Sequence, residues 1–268
     1  MMKQFPKLLS PVRSFKGAVK VIQAGADEIY CGVTSEIPSL KNFMVKRGTW
    51  CNIPTYDELG RIVKYAHDRN VKVLLTANLP FMVDSIERET RNYIQSCLHE
   101  GIDALIIGDL GVLSMIKDMA VEIPLYASSY MATLNHEGAD FLRKIGFSRV
   151  ILERQVSISE ISDIVKKSSI EVEVFIHGLG GCSHIDVSCY LIHDHFPELD
   201  RARFMVDSSF NPPCRIPFEV YEVNDGSLKD ETVPILDAHR ICSICDLPSL
   251  IQAGVAGLKI VGRGNPII

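Results

Sequence analysis

The stretch QAGADEIYCG, residues 23–32, closes a helical pattern on Gly25 and within a few residues begins an apolar run. The same figure returns in HEGIDALIIGD (99–109), KIGFSRVILER (144–154) and QAGVAGLKIVG (252–262). Gly25, Gly101, Gly146 and Gly254 each stand where a helix ending wants a left-handed residue, and the run after each reads as a buried parallel strand. These are joints from helix into strand. Working outward from them, the pattern predicts strands near 7–12, 27–31, 71–77, 103–107, 123–127, 148–152, 172–177 and 257–261. Amphipathic helices fit most of the gaps. TYDELGRIVKYAHDRN (55–70) opens with Thr55 and Glu58, and SISEISDIVKKS (157–168) with Ser157 and Glu160, both at capping-box spacing. Alternating β and α units in this number predict a (β/α)8 TIM-like barrel, with a doubly wound parallel sheet as the other arrangement the pattern permits.

The rhythm breaks once. Between the seventh strand, VEVFIHG, and the last, roughly 80 residues stand in place of a short crossover. This excursion, about 178–250, starts at the C-terminal end of a barrel strand, the face on which barrel enzymes build their sites. The reading is one barrel domain over residues 1–268 that carries a cysteine-bearing excursion between strands 7 and 8.

Of the 268 residues, 47% are hydrophobic, enough for one large core. The net charge of −5 is spread without a basic stripe, so charge does not indicate nucleic-acid binding. No signal peptide opens the chain and no run of about 18 apolar residues offers a membrane span, which points to a soluble, cytoplasmic protein. Eight cysteines in that compartment are expected to be reduced, leaving packing, metal binding or catalysis as their uses.

Five of the eight, Cys182, Cys189, Cys214, Cys242 and Cys245, lie in the excursion. Thiolates converging from loops suit soft iron or zinc. The spacing, C-x6-C followed by 24 and 27 intervening residues, is neither a ferredoxin run nor a zinc-finger pair, and by itself leaves packing and metal binding both open. Packing fits Cys31, at a strand end, and Cys97, on the apolar face of a helix. It fits Cys182 and Cys214 poorly, since Gly-Gly precedes the first and Pro-Pro the second. His184, His193, Asp194 and His195 could form a mixed metal site nearby or a solvated loop; neither HExxH nor GxSxG occurs.

The order HGLGGC (177–182), Cys189, PPCR (212–215) and CSICDLPSLIQAGVAGLKIVGR (242–263) resembles the U32 family, the collagenase-like peptidases. AGADEIYCG, VKVLLTAN, DALIIGDLGVL, LYASSYMATLN and RVILERQVSISEI resemble the family's successive barrel blocks, so the likeness covers nearly the whole chain. It implies a [4Fe–4S] cluster on Cys182, Cys189, Cys214 and Cys242, as in members that hydroxylate tRNA, ribosomal RNA or a ubiquinone precursor without molecular oxygen. Cys245 falls beyond the matched position, as a packing thiol or a substitute ligand. The resemblance also implies prephenate as oxygen donor, a dicarboxylate that Arg154, Lys259 and Arg263 could receive through charge-assisted bonds. Two other readings stand beside hydroxylation: a peptidase, and a non-catalytic cluster-bearing subunit paired with a longer homologue, or a homo-oligomer.

Strand ends supply the remaining candidates: Tyr30, Cys31, Asn78, Asp109, Ser128, Ser129, Glu153, Arg154, His177 and the segment from Lys259 to Arg263. Glu153, His177 and Asn78 are the catalytic candidates, and Arg154, Ser129, Lys259 and Arg263 the substrate-binding ones. Each also has a bland reading as a strand-end cap. Three departures from the family bear on the substrate. Val261 stands where many members have Glu; the arginine-rich stretch is reduced to VKRGTWCNIP, with Arg47 and Asn52 the nearest matches; and the chain ends at Ile268 soon after the last strand.

Overall fold

The computed structural model describes residues 5–34, 51–78, 82–178, 218–233 and 241–262. Eight parallel strands close on themselves: β1 (Lys7–Pro11), β2 (Glu28–Cys31), β3 (Lys72–Ala77), β4 (Ala104–Ile107), β5 (Leu125–Ala127), β6 (Arg149–Ile151), β7 (Glu171–Gly178) and β11 (Gly257–Val261). Each pairs with the next, and β11 returns to β1 with Leu9 level with Lys259. Every predicted strand is found within two residues of its expected bounds. The doubly wound alternative is excluded, because an open sheet has two edges and this one has none.

Helices α1 (Phe15–Gln23), α2 (Tyr56–His67), α3 (Asp84–His99), α4 (Leu110–Asp118), α5 (His136–Lys144), α6 (Ile158–Lys167) and α7 (Leu247–Ala253) lie between successive barrel strands. Gly25, Gly101, Gly146 and Gly254 have φ of 99°, 87°, 113° and 90°, so all four joints turn on a backbone conformation that costs glycine nothing. Ser157 and Glu160 form the complete capping box of α6. The Thr55 box is half made: Thr55 Oγ1 accepts from Glu58 N at 3.1 Å, but Glu58 Oε1 accepts from Phe15 N at 2.8 Å and so ties α2 to the start of α1. Among the described residues no helix is long and apolar enough to cross a membrane.

The excursion contributes a two-stranded hairpin, β8 (Phe218–Tyr221) with β9 (Leu228–Val233), and a short strand, β10 (Ile241–Cys242). Strand β10 runs antiparallel to the end of β7. Since β11 occupies one edge of β7 up to Gly178, β10 takes the other edge, above the point where pairing with β6 stops at Glu173.

Alternation along the strands divides the core in two. Ile29, Val73, Leu75, Leu105, Ile107, Val150, Val172, Val174 and Ile176 face the helices, while Leu9, Tyr30, Leu74, Ala104, Ile106, Tyr126 and Ile151 fill the barrel interior. The interior also holds charge. Arg149, 4% exposed, bonds Glu28 with Nη1 at 2.6 Å and Nη2 at 3.2 Å, Glu173 at 3.0 Å and Glu171 at 2.9 Å, and lies 4.3 Å from the Tyr126 ring centroid. Burial opposes its charge, yet the Glu28 hydrogen bond and the Glu173 charge outweigh it and raise the guanidinium above its ordinary pKa. Lys259 Nζ meets Glu173 Oε1 at 3.3 Å, so the two buried cations are matched by Glu28 and Glu173.

Gly257 lies against this network. A Cβ there would come within 2.9 Å of both Cγ and Oε2 of Glu173, which Arg149 and Lys259 hold in place. Gly257→Ala is therefore expected to cost about 1–3 kcal/mol by overpacking, read as a lowered urea midpoint with unchanged slope. An unchanged midpoint would show that Glu173 is free to move.

Candidate active site

The C-terminal ends of the strands gather most of the predicted residues on one rim. Asn78 directly follows β3; its Oδ1 is buried without a hydrogen-bond partner. Ser128 and Ser129 follow β5, are 4% and 7% exposed, and open a short 3-10 turn. Glu153, two residues past β6, is 5% exposed and accepts from Gln155 Nε2 at 2.8 Å. Arg154 places its guanidinium 3.9 Å from the centroid of the Phe175 ring.

Lys259 lies deeper than the rim. Level with Phe175 in the barrel register, it is 5% exposed, with Nζ 4.4 Å from the Tyr30 ring centroid and 5.9 Å from that of Phe175. The Phe175 ring is thus flanked by two cations, of which Lys259 is paired with the buried Glu173. The Tyr30 hydroxyl donates to Ile260 O at 3.0 Å, and Asp109 Oδ1 accepts from Gly111 N at 2.7 Å and Val112 N at 3.1 Å, so both act locally as strand-end and helix-cap groups.

His177 and Cys242 are direct partners in the β7–β10 ladder. Side chains directly opposite in an antiparallel pair share a face. β7 carries a register irregularity at Ile176, with Phe175 and His177 level with the consecutive Lys259 and Ile260, and the β10 pairing places His177 and Cys242 together at the C-terminal end of the barrel. Both are exposed.

The cysteines separate by environment. Cys31, Cys51 and Cys97 are 0% exposed, and burial, with Cys31 adding to it, pushes the Cys97 thiol well above its ordinary pKa. As expected for Cys31 and Cys97, these are buried packing residues. Cys242 and Cys245 are free and exposed. Among the described residues no three His, Cys, Asp or Glu converge closely enough to hold a metal ion. Of the expected iron ligands only Cys242 falls within the described residues; Cys182, Cys189 and Cys214 lie outside them, as do Arg263, Arg47, His184, His193, Asp194 and His195. A soft, exposed thiol at the C-terminal end of the barrel fits a sulfur-ligated iron centre.

Reading the sequence missed the interior charges Glu28, Arg149 and Glu173. Part of their signal was present: in EVEVF charged residues alternate with apolar ones at the period of a strand whose second face is also buried, and Glu28 and Arg149 each open an apolar run of strand length. Asn52, singled out in the sequence with Arg47 as a nearest match to the family's stretch, is 5% exposed, and its Oδ1 is buried without a hydrogen-bond partner beside the Val33–Ile53 bridge after β2.

The family model for peptidase family U32 matches residues 13–267. The 23S rRNA 5-hydroxycytidine C2501 synthase of Escherichia coli K12 is 28% identical over 257 residues, covering 96% of this chain and 36% of its own. The tRNA hydroxylation protein P1 of Bacillus subtilis 168 is 23% identical over 269 residues, covering 98% of this chain and 60% of its own. The chain thus spans between about a third and three-fifths of the length of these relatives. The solved structure of the U32 peptidase Mk0906 superposes with a TM-score of 0.59 over 100% of this chain and 96% of its own, at 14% identity, a likeness of fold. With the match running from the end of β1 past β11, this chain belongs to peptidase family U32.

Proposed function

We propose that this chain is the iron–sulfur barrel of an enzyme that hydroxylates an RNA base without molecular oxygen, with a [4Fe–4S] cluster held by Cys182, Cys189, Cys214 and Cys242. The observation that carries the reading is the pairing of Cys242 with His177, which sets an exposed thiol at the C-terminal end of β7, the catalytic end of a barrel, while Cys31, Cys51 and Cys97 are buried. The names of the two hydroxylating relatives support the reaction class. When bound, the cluster supplies one-electron chemistry at sulfur-ligated iron.

The chain's own residues have separable tasks in this proposal. Arg154 and Lys259, around Phe175, and Arg263 receive a small dicarboxylate of the prephenate kind through charge-assisted bonds. Asn78 and Ser129 orient the substrate from the β3 and β5 ends of the rim. Glu153 and His177 stand where a proton can be taken up or delivered.

The test is nucleoside analysis of ribosomal and transfer RNA from cells with and without the gene, grown anaerobically. One nucleoside heavier by one oxygen is expected to vanish on deletion, to return with the wild-type gene and not with Cys242→Ala. Peptidase activity is the second reading, favoured by the family's name and that of the solved relative. An unchanged nucleoside profile, together with cleavage of a labelled peptide pool by cluster-free protein, would replace the first reading with the second.

A further inference from the structure

We propose that Cys242 and Cys245 form a thiol–disulfide pair whose closed form withholds Cys242 from any metal. Both thiols are exposed and free, whereas the three other described cysteines are fully buried, so Cys245 is not the packing thiol its sequence position allowed. The chain turns between them. Cys242 ends β10, Ser243 has φ −105° and ψ 27°, and Ile244–Asp246 form a 3-10 turn. Only two residues separate the thiols, and Ser243 at ψ 27° stands outside the helical region, so closure takes a rotation of the Ser243 backbone to bring the Cα atoms within the roughly 4.4–6.8 Å that a disulfide bridges. Ser243 N donates to Ile176 O at 2.9 Å and Asp246 N to Ser243 O at 3.0 Å, which tie the segment carrying the two thiols to β7 and to its own following turn.

The chemistry balances with glutathione disulfide as oxidant. One cysteine thiolate attacks it, forming a mixed disulfide and releasing one glutathione; the other thiolate attacks the cysteine sulfur of that mixed disulfide and releases the second. Two cysteine thiols are oxidised, one glutathione disulfide is reduced, and the two thiol protons end on the two glutathiones. A cysteine held in a disulfide has no thiolate to give, so the closed pair blocks loading of a cluster through Cys242 until a dithiol reopens it. That consequence rests on the proposed ligand role of Cys242; formation of the disulfide does not.

Trypsin offers a clean readout, because cleavage after Arg240 and Lys259 gives ICSICDLPSLIQAGVAGLK, whose only cysteines are Cys242 and Cys245. Cluster-free full-length protein is equilibrated anaerobically with glutathione at graded ratios of reduced to oxidised form, alkylated and digested. The proposal expects this peptide unalkylated and two hydrogens lighter at oxidising ratios, and doubly alkylated at reducing ones. Iron uptake on reconstitution without reductant is expected to fall at least about tenfold in the oxidised sample and to recover with a dithiol. Both residues alkylated at every ratio, Cys242 joined to another peptide, or Cys242 halted as a glutathione adduct would each overturn the pair. If neither redox state takes up iron, the cluster reading falls, and the peptide mass alone still decides the disulfide.

Discussion

Replacing Arg149 by Met is expected to lower the free energy of unfolding by about 3–5 kcal/mol, a fall of roughly 10 °C in Tm for a domain of this size. Glu28, 2% exposed, directs its described hydrogen bonds to Arg149 alone, so the substitution strands a carboxylate in the barrel interior. Glu173 is less affected, since Lys259 remains beside it at 3.3 Å, and Glu171, with a side chain 55% exposed, turns to water. The asymmetry gives a sharper form of the prediction. Removing both members of the pair, in Glu28→Met with Arg149→Met, should recover at least half of the loss, because the penalty comes from an uncompensated buried charge and not from the missing attraction. A chemical-denaturation cycle over the two single variants and the double one measures this as a coupling energy. Additive losses, or a single-variant loss under about 1 kcal/mol, would mean that the interior charges are hydrated and not a buried network.

The barrel was legible because its signals are local. A glycine at each of four helix ends, and an apolar run of strand length after it, are read within ten residues, and φ values from 87° to 113° give the physical reason glycine stands there. The interior network was not legible in the same way, because Arg149 and Glu28 are 121 residues apart and only barrel closure brings them together. Glu58 shows the converse: its spacing from Thr55 spells a capping box, but a backbone donor 43 residues away at Phe15 captures its carboxylate. The β8–β9 hairpin did carry a local mark, Asp225-Gly226 with Gly226 at φ 69°, overlooked within a segment read for its cysteines. At the site, alternation placed Glu153 and Arg154 at a strand end, but not the opposition of Cys242 to His177, which depends on β10 folding back onto a strand more than sixty residues earlier.

The second large effect follows from that opposition. Cys242→Ala removes an exposed thiol that β10 holds beside the C-terminal end of β7 and leaves the barrel core untouched, since the residue contributes nothing to either buried cluster. The variant is expected to keep its unfolding midpoint within about 0.5 kcal/mol of wild type when both are compared cluster-free, while losing the cluster. Cys245→Ala is expected to retain both. The measurement is anaerobic purification followed by iron and sulfide quantitation, with absorbance and EPR spectra, on wild type and the two variants. The account predicts about four irons and four sulfides per chain in wild type and Cys245→Ala, and their loss in Cys242→Ala. A colourless wild-type protein that holds zinc or no metal would contradict it.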